Sequence, residues 1–159
     1  MSLPHRHSIP LAELRRMIDQ HIGTSRWFTI DQTLIDDFAR ITQDEQFIHV
    51  DPVRAAEAPF GSTIAHGFLT MSYLAPMAYD AVPLADGTVM GVNYGFDKVR
   101  FLTPVPAGAR IRGHFTLDAL EEEPGQVTSH HSVTVEIEDA DHPALVAKWI
   151  SRGYFTPDT

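Results

Sequence analysis

From His66 to Tyr79 the chain runs His-Gly-Phe-Leu-Thr-Met-Ser-Tyr-Leu-Ala-Pro-Met-Ala-Tyr, a helix-length stretch that is apolar nearly all round. A helix without a polar face belongs inside a domain. Beyond Gly87 the period changes from helical to two. Met90, Val92, Tyr94 and Phe96 alternate with Gly91, Asn93, Gly95 and Asp97, and Ile111, Gly113, Phe115 and Leu117 alternate with Arg112, His114, Thr116 and Asp118. Pro124-Gly125 suits a type II turn, with glycine supplying the positive φ. Residues 127–137 and 145–155 follow as two more strands. Such alternation marks an antiparallel sheet with one covered face. The expected fold is α+β: a long antiparallel sheet wrapped around one buried helix at about 66–80, kinked or ended by Pro76. One helix cannot cover a curved sheet of five or so strands. A second copy is therefore expected to bury the remaining apolar edge, which makes a homodimer.

Upstream, Leu11, Leu14, Met17 and Ile18 repeat at helical spacing after Pro10, with Gly23 beyond the expected helix end. Residues 1–24 thus read as an N-terminal helical extension, with His5 and His7 solvated. Residues 26–30 read as a short strand. Leu34, Ile35, Phe38 and Ile41 share one face of a second helix, capped by Asp31 or by Thr29 with Gln32. Asp51-Pro52 opens another small helix. At 159 residues without linker or repeat, the chain is expected to be a single domain.

Composition excludes some chemistry. There is no cysteine, so disulfides, thiolate catalysis and Cys-ligated metal sites are out. A net charge of −9 argues against a broad nucleic-acid surface. No run has the length and apolarity of a signal peptide or membrane span, so a soluble, cytoplasmic protein is expected.

The chemistry-bearing residues sit between Gln43 and Phe68. Asp44 and His49 are five apart, which is not a same-face helical spacing. They can converge only if the polar stretch from Gln43 to Gln46 bends or unwinds. A carboxylate and an imidazole that meet can hold a water and exchange its protons. Gly67, at the mouth of the apolar helix, can present a backbone N–H to a developing oxyanion. Simpler roles exist: Asp44 as a cap, His66 bonded to the loop backbone, Gly67 as a packing glycine. His49, Asp51 and His66 could also ligate a metal, but they lack the spacing of a zinc motif.

Residues 44–52 (Asp-Glu-Gln-Phe-Ile-His-Val-Asp-Pro) and 60–68 (Phe-Gly-Ser-Thr-Ile-Ala-His-Gly-Phe) resemble the MaoC-like (R)-specific enoyl-CoA hydratases, closest to the NodN-like branch. The likeness continues through 93–101 and 104–108. It implies a hot-dog fold, usually dimeric, in which Asp44 and His49 activate the water added to a trans-2-enoyl thioester. The Gly67 N–H would bind the thioester oxygen as the (R)-3-hydroxyacyl product forms. It implies no metal and no redox cofactor, with coenzyme A or an acyl-carrier arm entering as part of the substrate.

Ser62, His66, Phe68 and Asn93 are the expected substrate contacts. Phe68, Met71, Ser72 and Ala75 would line an acyl tunnel, and Arg54, Lys98 and Arg100 are candidates for the coenzyme phosphates. Many relatives carry Gly-Asp-x-Asn-Pro-x-His where this chain has Gln43 before the acid and Gln46-Phe47 in place of Asn-Pro. The alternatives are a thioesterase on the same fold and a non-catalytic acyl-thioester-binding subunit.

Overall fold

The computed structural model describes residue 5 and residues 7–156. In chain order the elements are β1 (Ser8–Ile9), α1 (Leu11–Arg16), β2 (Gln20–Thr24), β3 (Phe28–Thr29), α2 (Gln32–Thr42), α3 (Phe47–Val50), α4 (Pro52–Ala56), α5 (Gly67–Ser72), α6 (Leu74–Ala81), β4 (Leu84–Ala85), β5 (Thr88–Phe101), β6 (Arg110–Glu123), β7 (Gln126–Ile137) and β8 (Leu145–Phe155). Strands β2, β6, β7, β8 and β5 form one sheet in that order, and β3 also pairs with β6. All of its pairings are antiparallel. A small parallel pair, β1 with β4, stands apart. The β6–β7 hairpin turns on Pro124 and Gly125, with Gly125 at φ +78° as the turn requires.

The sheet curls around α5 and α6, the hot-dog arrangement. Leu69, Leu74, Met77, Ala78 and Ala81 from the helices meet Ile111, Phe115, Leu117, Val133, Val135 and Leu145 from the sheet, all buried. The central helix differs from expectation in two respects. It breaks at Tyr73, because Pro76 has no N–H for the Ser72 carbonyl and its ring crowds that oxygen. Pro76 itself falls in the first turn of α6, where a missing donor is tolerated. Nor is the helix buried all round. Phe68, Ser72 and Tyr79 are exposed on the side away from the sheet.

The N-terminal segment is less helical than its pattern suggests. Helix α1 ends at Arg16, Asp19 turns the chain at φ +63°, and Gln20–Thr24 joins the sheet beside β6. Gly23 is thus a strand residue. A Cβ there would lie 2.1 Å from the carbonyl oxygen of Ala81, so glycine lets β2 and α6 touch. His5 is not solvated either: its ring packs edge-on against Tyr79 at 4.9 Å. His7 is exposed.

Strand β5 is an edge of the sheet and is exposed along most of its length, including Met90, Val92 and Tyr94. Among the described residues, no helix is long and apolar enough to cross a membrane.

Candidate active site

Helix α2 is capped by Asp31, whose carboxylate accepts from Leu34 N at 2.9 Å. It delivers the chain to Gln43, a non-glycine residue at φ +61°. This left-handed turn ends the helix and starts the unwound stretch the Asp–His spacing demanded. Asp44 is exposed on that stretch; His49 sits in α3 and is buried.

His49 is fixed from three sides. Its Nδ1 lies 2.7 Å from the Ile64 carbonyl, which can only accept, so Nδ1 carries the hydrogen and Nε2 keeps its lone pair. Gln32 Nε2 donates to the His49 carbonyl at 2.7 Å, while Thr63 Oγ1 donates to Gln32 Oε1. Its ring stacks on that of His66, centroids 3.7 Å apart. Burial pushes the His49 imidazole below its ordinary pKa, outweighing the Ile64 hydrogen bond that favours protonation. Charge on His66 lowers it further, and the Asp44 carboxylate opposes both. His49 is thereby kept a neutral base.

A carboxylate oxygen of Asp44 and one ring nitrogen each of His49 and His66 lie within 4.8 Å of one another. Asp51 is outside this group; its side chain caps α4 by accepting from Arg54 N at 3.1 Å. A carboxylate and an imidazole this close can serve as a proton-transfer pair.

His66 is the residue before α5, yet its side chain makes no cap bond. Its Nε2 instead donates to the Asp44 carbonyl at 2.8 Å and ties the acid-bearing loop to the helix start. Gly67 is the first residue of α5, so its N–H has no acceptor within the helix. A Cβ at Gly67 would come within 3.0 Å of the Phe101 ring, so glycine is what lets Phe101 lie over the helix start. His49, Gly67, Thr70, Phe101 and Val105 line one cleft of about 310 Å³.

The other expected contacts are dispersed. The Ser62 hydroxyl donates to the Thr63 carbonyl at 3.2 Å. Phe68 is exposed and edge-on to Phe101. Asn93 accepts from Trp149 Nε1 at 2.7 Å and lines a different cavity. The Arg54 guanidinium lies over the Phe47 ring at 4.4 Å. Gln32 and the Ile64 carbonyl, which hold His49, had no sequence signal of their own beyond a possible helix cap at Gln32.

The model of the MaoC like domain matches residues 13–140. This chain belongs to the MaoC-like domain family. Nodulation protein N of Rhizobium meliloti is 48% identical over 153 residues, covering 95% of each chain. The 3-hydroxyacyl-thioester dehydratase Z of Mycobacterium tuberculosis (strain ATCC 25618 / H37Rv) is 43% identical over 143 residues, 89% of this chain and 94% of that one. Among solved structures, the unliganded R-hydratase PhaJ1 of Pseudomonas aeruginosa superimposes with a TM-score of 0.68 at 21% identity, covering 96% of this chain and 88% of that one. The likeness to the hydratase structure is one of fold, the hot-dog arrangement, and the site described above lies within the residues matched to the family model.

Proposed function

We propose that this MaoC-like protein adds water to trans-2-enoyl thioesters, giving (R)-3-hydroxyacyl thioesters, and catalyses the reverse dehydration. One observation carries the reading: the Asp44 carboxylate and the His49 ring converge within 4.8 Å, and His49 shares a cleft with Gly67. His49 Nε2 takes one proton from the water as its oxygen bonds to C3, while Asp44 accepts a hydrogen bond from the water's other hydrogen. The C2–C3 π electrons move onto the thioester as an enolate, whose oxygen accepts from the Gly67 N–H. His49 then returns its proton to C2, and the site ends as it began. Water and thioester balance the reaction without metal or redox cofactor. Coenzyme A or an acyl-carrier arm is part of the substrate.

The exposed β5 edge, with Phe68 and Tyr79 beside it, is the surface expected to pair with a second copy of the chain. The lack of cysteine suits a reducing cytoplasm as the working compartment.

The test gives purified protein crotonyl-CoA and follows enoyl-thioester absorbance alongside free thiol. Absorbance loss without thiol supports hydration. Thiol release points to a thioesterase, and silence across chain lengths to a binding subunit.

A further inference from the structure

Strand register carries a second message on the sheet face under α6. Val133 pairs with Ala147 and Val135 with Leu145, all buried and apolar. Farther along the same strands the face turns polar. His131 pairs with Trp149, Ser129 with Ser151, and Ser151 with Asn93. One row later Gly153 pairs with Gly91; the Thr88 and Val127 side chains lie beside Gly153, and the space over Gly91 is open. With Ala75 and Ala78 above, small residues on both sides leave a cavity of about 150 Å³. An apolar cavity of that size accepts a benzene-sized guest.

Polar groups placed under a helix cost stability unless they find partners. His131 is 3% exposed, and its Nδ1 has no hydrogen-bond partner among the described residues. Burial pushes its pKa down to about 4, so at neutral pH it offers a hydrogen bond rather than a charge. The cavity shares no lining residue with the His49–Gly67 cleft. Helices α5 and α6 join them, however, with Gly67 of α5 at the cleft and Ala75 of α6, just past the break at Tyr73, at the cavity.

We propose that this cavity receives the remote end of the acyl chain and selects chains bearing a neutral oxygen there, with His131, Ser129 and Ser151 as its hydrogen-bonding partners. The proposal rests on the acyl-thioester reading of the cleft. Apolar Ala75 and Ala78 suit the methylenes, and the polar row opposite suits the oxygen.

Two saturated thioesters that cannot be hydrated, decanoyl-CoA and ω-hydroxydecanoyl-CoA, are titrated calorimetrically into the full chain. The hydroxylated ligand is expected to bind about tenfold tighter, the worth of one or two net hydrogen bonds. His131→Leu and, separately, Ser129→Ala should each reduce that preference; Ser129→Ala covers the case in which His131→Leu fails to fold. Equal affinities, no binding of either ligand, or a preference that survives in the folded variants overturns the proposal. Crotonyl-CoA, too short to reach the cavity, is assayed with the same preparations. Hydration without the preference removes only the cavity's role, whereas the preference without hydration removes only the proposed reaction.

Discussion

The imidazole of His49 lies against that of His66, with ring centroids 3.7 Å and planes 23° apart, while His66 Nε2 holds the backbone of Asp44. One histidine therefore touches both halves of the acid/base pair. His66→Asn removes a neighbouring charge and exposes His49, and both changes raise the His49 pKa toward its ordinary value. Because the base must be neutral, the acid limb of the kcat/KM profile should move to higher pH. An unmoved limb in a folded variant would mean that His66 does not tune His49.

His131 supplies a pH-dependent contribution to stability. Its folded pKa of about 4 lies below the ordinary 6.5, so the unfolded chain binds the proton more tightly. Stability should be unaffected by this group above pH 6.5 and fall as pH drops from 6.5 to about 4, by at most roughly 3 kcal/mol. Urea midpoints across that window should show the fall in the native protein and a flatter profile in His131→Leu.

Gly23→Ala should destabilise the fold by about 1–3 kcal/mol, because its methyl collides with the Ala81 carbonyl and pushes β2 from α6. Denaturant unfolding measures it. A variant as stable as the native chain would show that β2 and α6 can separate without cost.

The exposed β5 edge predicts a dimer at micromolar concentration by sedimentation. Amide exchange along β5 should quicken on dilution as its pairing opens. A monomer at all concentrations, with β5 exchanging freely, would contradict the pairing.

Much of this was legible in residue order. The period-two runs at 90–97 and 110–119 and the turn at Pro124-Gly125 define β5, β6 and their neighbours, because sheet pleat writes directly into sequence. The unwinding between Asp44 and His49 followed from their spacing, but its cause, the left-handed Gln43, did not: nothing local marks a glutamine for that conformation. Gln20–Thr24 read as the tail of a helix because its strand character comes from β6, nearly a hundred residues away. The contacts of Gln32 and of the Ile64 carbonyl with His49 are likewise long-range. Ser62 and Asn93 were grouped with the site by motif alone; Asn93 lies along the other cavity.

The most direct measurement is the hydration rate of crotonyl-CoA by Asp44→Asn and His49→Gln, each shown to fold by its thermal transition. General acid/base groups typically contribute ~10²–10⁴-fold. Each variant is expected to lose activity by that order, with the (R)-3-hydroxyacyl thioester as the product of the native chain. Near-native turnover in either folded variant would contradict the assignment of Asp44 and His49 as the pair that activates water.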